Sequence, residues 1–146
     1  MSIAAKLRRA PVRIAAGAYI LNSGIGKLKA DEGTAQGLHG MATGAYPFLN
    51  KLTPTPFTRA LAVTETALGA ALLLPVIPAG LVGIGLTAFA GGLVGLYART
   101  EGVHDRYYRP VGNGVGLAKD LWLAAIGVGL VVDAALSESP ITRTES

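Results

Sequence analysis

Residues 81–98 contain no charged side chain, and Thr87 and Tyr97 carry the only hydroxyl groups there. A helix crosses the hydrocarbon layer with about 20 apolar residues, and its backbone amides are all bonded within the segment. Three further segments, 13–29, 57–74 and 115–136, are apolar along most of their length and carry only isolated charges. The pattern predicts four membrane-spanning helices at these positions.

Hydrophobic residues make up 51% of the chain and charged residues 15%, with mean hydropathy +0.45. That is too apolar for an ordinary soluble domain. In 146 residues there is room for roughly four crossings with short connections. The expected fold is therefore all-α: one integral membrane four-helix bundle over residues 1–136, followed by a polar tail over 137–146. The chain has no cysteine, which excludes disulfides, thiolate metal sites and a thiol nucleophile of its own. Its formal charge of +4 sits in segment flanks rather than on one polar helix with interleaved aromatics, so the expected partner is the lipid bilayer and not nucleic acid.

Lys6, Arg8, Arg9 and Arg13 precede the first apolar run. A basic start before an apolar core is also the pattern of a secretory signal, but Asn22, Ser23 and Lys27 fall inside the run and no clear small-x-small site follows, which favours a retained helix. Residues 30–56 are polar and rich in Gly and Pro, yet Leu38, Met41, Ala45, Phe48 and Leu49 recur at helical spacing. This predicts a short amphipathic helix at the membrane interface within the first loop. Pro54 and Pro56 lead into the second span, and Pro75 and Pro78 close it. Gly91 and Gly95 form a small-xxx-small pair suited to close helix packing. Trp122 and the tyrosines at 97, 107 and 108 suit an interfacial aromatic belt.

Successive spans alternate in direction, so the end of the first, the start of the second, the end of the third and the start of the fourth share one side of the membrane. At about 1.5 Å per residue, Glu65 lies roughly 12 Å beyond Phe57 and Lys119 roughly 6 Å beyond Val115. Lys27 enters the same zone, and Asn22 lies deeper on its helix. A charge buried in the bilayer tends to pair or to face a wet cavity. The expected cluster is thus Asn22, Lys27, Glu65, Lys119 and Asp120, with Arg99 or Tyr97 at the rim. Its alternative is that both lysines reach the headgroups and Glu65 is protonated or bonded across helices. On the other side Arg13 and Asp133 fall at comparable depth, as a pair or as two independent interfacial charges. His39 and His104 lie in loops, which leaves no intramembrane imidazole pair for a haem; no metal site is expected. The basic first flank, weighed against Lys29, Lys51, Arg99, Arg106 and Arg109 in the larger loops, leans towards cytoplasmic termini.

Residues 17–28 (GAYILNSGIGKL) resemble the first helix of the DoxX family, which ends in a glycine and a lysine. Residues 65–74 (ETALGAALLL) resemble its second-helix segment, and residues 117–123 (LAKDLWL) the start of the last helix in actinobacterial members. Residues 30–48 (ADEGTAQGLHGMATGAYPF) are similar to the first loop of that group. The resemblance covers most of the chain from Arg13 to Ala134 and implies a four-helix protein of the bacterial cytoplasmic (inner) membrane. Some relatives are linked to quinone-coupled sulfur oxidation or to redox-stress complexes with a superoxide dismutase and a sulfurtransferase. Position by position, Lys27, Glu65, Lys119 and Asp120 match the family's charged residues; no catalytic residue comes with them.

The expected function is a small subunit, bearing no covalent cofactor, of a membrane redox assembly that binds a quinone-like amphiphile or docks a soluble oxidoreductase. Its alternative is a non-enzymatic scaffold or assembly factor in which the buried charges fix helix register. A transporter is the third class, but there is no internal duplication and one chain has little room for inverted repeats, so it would require a homo-oligomer.

Overall fold

The computed structural model describes residues 2–112 and 114–138. It is built from α1 (Ile3–Leu28), α2 (Glu32–Ala45), a 3-10 turn (Pro47–Lys51), α3 (Pro54–Leu73), α4 (Ala79–Arg99), α5 (Gly114–Ala118) and α6 (Asp120–Glu138). Among the described residues the only β contact is an isolated bridge between His104 and Pro110.

Two departures from the expected boundaries have local causes. α1 starts at Ile3 rather than near Arg13, because the Ser2 hydroxyl accepts from the Ala5 amide at 3.2 Å and caps the helix. The basic flank is therefore structured helix, with Pro11 inside it. The expected helix over 115–136 is interrupted at Lys119, which separates α5 from α6. In the first loop α2 is capped by Asp31, whose carboxylate accepts from the Thr34 amide at 2.8 Å. The expected polar tail begins within the last turn of α6, and residues 139–146 lie outside the described residues.

Two segments are long and apolar enough to cross a membrane: Ala79–Arg99 and Gly114–Ser137. Only 28% and 22% of their most apolar windows are buried within the molecule, whereas the core helix of a soluble protein is covered on its apolar face. Leu81, Ile84, Leu121, Trp122, Val128, Val132 and Leu136 all face outward. A contiguous apolar surface of this kind marks contact with lipid or with another protein. α1 and α3 are the more polar pair, carrying Arg8, Arg9, Arg13 and Lys27 on one and Arg59 and Glu65 on the other.

α1 runs antiparallel along α3, and α4 antiparallel along α6; one shared core joins the pairs through Ile20, Leu72, Leu86 and Leu130. Both pairs approach closely at glycine. A Cβ on Gly69 would lie 2.7 Å from the Leu21 Cα, and one on Gly127 would lie 2.7 Å from the Thr87 amide nitrogen. The α4–α6 approach therefore occurs through Gly83 and Gly127 rather than the expected Gly91 and Gly95. Gly91 faces open space, and Gly95 faces the Tyr46 hydroxyl.

Candidate functional site

Between these helices lies a cavity of about 470 Å³, within the range of about 300–1,000 Å³ common for small-molecule sites. Its apolar lining comes mainly from α2, α3 and α4, including Leu38, Met41, Phe57, Leu61, Phe89, Leu93 and Leu96. Its polar lining comes from Tyr19, Ser23 and Lys27 of α1, Glu65 of α3, and Lys119 and Asp120 at the α5–α6 break. α2 and the 3-10 turn cover one side, held there by Tyr46, whose hydroxyl donates to the Gly92 carbonyl at 2.8 Å. The Arg99 guanidinium lies 5.0 Å over the Tyr46 ring.

Lys27 and Glu65 form an ion pair, with Nζ 2.9 Å from Oε2. Glu65 is 4% exposed, so its charge depends on this partner. Lys27 also donates to the Ser23 hydroxyl at 2.7 Å, one helical turn earlier. Lys119 is directed elsewhere: its ammonium donates to the Gly116 carbonyl and lies 5.4 Å from the centre of the Tyr19 ring. The unwound residue at 119 brings the ammonium back over the α5 end, and this local geometry removes it from Glu65.

Asp120 is 5% exposed, lines the cavity and has no hydrogen-bond partner among the described residues. It opens α6, where the helix dipole favours a carboxylate, and Lys119, Glu65 and Lys27 lie within electrostatic reach of it. The site thus holds one satisfied ion pair and one carboxylate able to accept a donor from a ligand. Among the described residues no three His, Asp or Glu side chains converge as a metal site.

Two expected site residues lie elsewhere. Asn22 is exposed and does not line the cavity, because the inward face of α1 carries Tyr19, Ser23 and Lys27 at four-residue intervals. That spacing is visible in the sequence and would have selected Ser23 over Asn22. Arg13 and Asp133 do not pair. Arg13 instead donates to the carbonyls of Leu72 at 2.8 Å, Ala71 at 3.0 Å, Leu74 at 2.7 Å and Ile77 at 3.0 Å. The first three close the C-terminal end of α3 before Pro75, where carbonyls lack intrahelical donors, and Ile77 lies in the turn that leads to α4. Asp133 is held by Arg8, whose Nε lies 2.8 Å from Oδ1, and by Arg9 on Oδ2. Neither arginine was an expected partner, since both precede the assumed start of the first helix.

Neither His39 nor His104 lines the cavity; His39 sits behind it, facing the Leu49 carbonyl at 3.0 Å. In the second loop Asp105 accepts from the amides of Tyr107 at 2.8 Å and Arg109 at 3.0 Å. The Arg109 amide bond is the main reason its carboxyl is held below the ordinary carboxylate range. The Thr34 amide likewise lowers the Asp31 carboxyl.

No protein-family model, no curated protein and no solved structure matches the chain.

Proposed function

We propose that the chain is a four-span integral membrane protein of the bacterial cytoplasmic membrane, whose inter-helix cavity binds a quinone-like amphiphile as a small subunit of a membrane redox assembly. The observation that carries this reading is the mixed character of the cavity: Tyr19, Ser23, Lys27, Glu65, Lys119 and Asp120 from α1, α3 and the α5–α6 break, and mostly hydrocarbon side chains from α2, α3 and α4. An amphiphile with a ring head and an apolar tail fits such a lining. Lys27 can donate to a ring carbonyl and Asp120 can accept from a ring hydroxyl. When bound, a quinone would supply reversible carbonyl-to-hydroxyl redox chemistry, while these residues bind and orient the head. The outward-facing apolar surfaces of α4 and α6 support membrane insertion. α1 and α3 complete the four spans by packing their charged groups towards the core and the bundle ends. The DoxX resemblance supports the redox setting and an oxidoreductase partner.

Native purification in mild detergent or nanodiscs, followed by mass spectrometry of co-purifying proteins and extracted small molecules, tests the proposal. The expected result is a quinone or an oxidoreductase retained by the wild type and lost when Lys27→Met and Glu65→Gln are made together. A protein that is folded and free of both supports a second reading, a scaffold or assembly factor. The observation favouring that reading is the Lys27–Glu65 pair itself, which ties α1 to α3 and would set their register without any ligand.

A further inference from the structure

A second, smaller pocket of about 50 Å³ lies between the end of α1 and the start of α3. Its polar lining is Lys27 of α1 with Thr55, Thr58 and Arg59 of α3, and its apolar lining includes Leu28 and Ala35. Leu28, Thr55 and Arg59 are exposed whereas Ala35 and Thr58 are buried, so the pocket leads from the protein surface inward. Among the described residues, Lys27 is the one that lines both this pocket and the larger cavity.

Two hydrogen-bonding groups on its wall are left open. Thr58 is 3% exposed, and its hydroxyl has no hydrogen-bond partner among the described residues. Thr64, Thr66, Thr87 and Thr100 each donate to the carbonyl four residues earlier, the usual bond of a helical threonine. Thr58 makes no such bond, and a buried hydroxyl without a partner is costly. The second group is the Lys27 ammonium, which carries three protons. Ser23 accepts one at 2.7 Å and Glu65 another at 2.9 Å, and the third has no partner among the described residues. Thr58 and Glu65 belong to the same buried stripe of α3, two turns or about 10 Å apart. Lys27 therefore bonds Glu65 on its cavity side and borders the pocket that Thr58 lines.

A water needs roughly 10–15 Å³ and two to four polar partners. The pocket exceeds that size, and water can both accept from Lys27 and bond the Thr58 hydroxyl. We infer that this pocket holds water and is the route by which the Lys27–Glu65 pair exchanges protons with the aqueous surface. In each exchange a Lys27 N–H proton passes to the water oxygen and a proton of that water returns to the same nitrogen, so atoms and charge balance. The charged groups bordering the pair are Arg59 in the pocket and Lys119 and Asp120 in the cavity. The pair then stays in exchange from behind when the cavity is filled, and the inference holds whatever fills it.

Water-edited solid-state NMR of the full chain in lipid, with lysine and threonine labelled, tests the route. The expected result is early transfer from water to Thr58 and to the Lys27 ammonium, lost at Lys27 in Thr58→Val and kept in Thr58→Ser. Thermal unfolding gives a second reading of opposite sign for the two cases. If Thr58 holds water, Thr58→Val lowers Tm by about 3 °C, the scale of one lost hydrogen bond in a chain of this length; a raised Tm identifies a dry hydroxyl and overturns the inference. Absence of early transfer at Thr58 in the wild type overturns it without any variant. Unchanged transfer to Lys27 in Thr58→Val also overturns it, since water then reaches the pair through the cavity. Loss of the wild-type Thr58 signal on adding sodium bromide overturns it by identifying an anion site.

Discussion

Lys27 on α1 holds Glu65 on α3 at 2.9 Å, and no other side chain among the described residues bonds that carboxylate. Glu65 is buried while Lys27 is 21% exposed on its side chain, so the two halves of the pair are unequally dependent on one another. Glu65 loses its compensation if Lys27 is removed; Lys27 can still reach Ser23 and the cavity mouth if Glu65 is removed.

Lys27→Met should therefore destabilise the fold by about 3 kcal/mol, the scale for leaving a buried charge unpaired. Adding Glu65→Gln should restore most of the loss. Thermal unfolding of the two single variants and the double variant in detergent measures the coupling. Additive losses would mean that the pair does not act as a unit.

Arg13 answers three carbonyls at the end of α3 and one in the turn that follows with one guanidinium. Arg13→Met takes the donor from the buried Leu72 carbonyl and from those of Ala71 and Ile77, while the Leu74 carbonyl keeps the Ile77 amide, at a cost of about 3 kcal/mol. Arg13→Lys should recover only part, because an ammonium cannot reproduce the planar fork. Hydrogen exchange of the last α3 turn should rise in both variants, more in Met than in Lys; unchanged exchange would remove Arg13 from this capping role.

Among the described residues, Asp120 is the one cavity carboxylate that binds no donor. Asp120→Asn keeps the shape and removes the charged acceptor, so the fold should persist while retention of a hydroxyl-bearing quinol analogue falls about tenfold, in line with a lost charged hydrogen bond of about 1.4 kcal/mol. Comparing the analogue with its oxidised form separates the donor contact from the apolar fit. Equal retention of both forms by wild type and variant would show that Asp120 does not touch the head.

The second loop should respond to acid through Asp105. Its carboxyl is held low in the folded chain, chiefly by the Arg109 amide, so its contribution is present above the ordinary carboxylate range and disappears as pH falls through the lowered value. Protection of the Tyr107 and Arg109 amides relative to their intrinsic exchange rates should fall in that acidic window, and Asp105→Asn should remove that pH-linked change in protection. Protection that stays constant through that window in the wild type would contradict this account.

The charged groups show how far a linear reading reaches. Depth along a helix follows from residue number, and that brought Lys27, Glu65 and Asp120 to one zone. Direction around the helix depends on which stripe faces the core. Asn22, placed deep by number, points outward, while Ser23 points in. Arg13 and Asp133 were matched by depth alone, yet the open carbonyls beyond Leu72 take the arginine, and Asp133 falls to Arg8 and Arg9 once α1 extends back to Ile3.

Periodicity, proline placement and apolar run length were sufficient to determine the helical class and the approximate helix positions; of the four segments expected to span, two, Ala79–Arg99 and Gly114–Ser137, are long and apolar enough to cross a membrane. Those properties are local: they depend on side-chain polarity and backbone hydrogen bonding within a single stretch of chain. Tertiary structure alone decided the break at Lys119, the close approach at Gly127, the capping of α3 by Arg13 and the burial of Asp120 against the cavity. Each depends on where the neighbouring helix places its carbonyls, glycines and side chains, and pairing in a crowded interior is settled by that competition among neighbours.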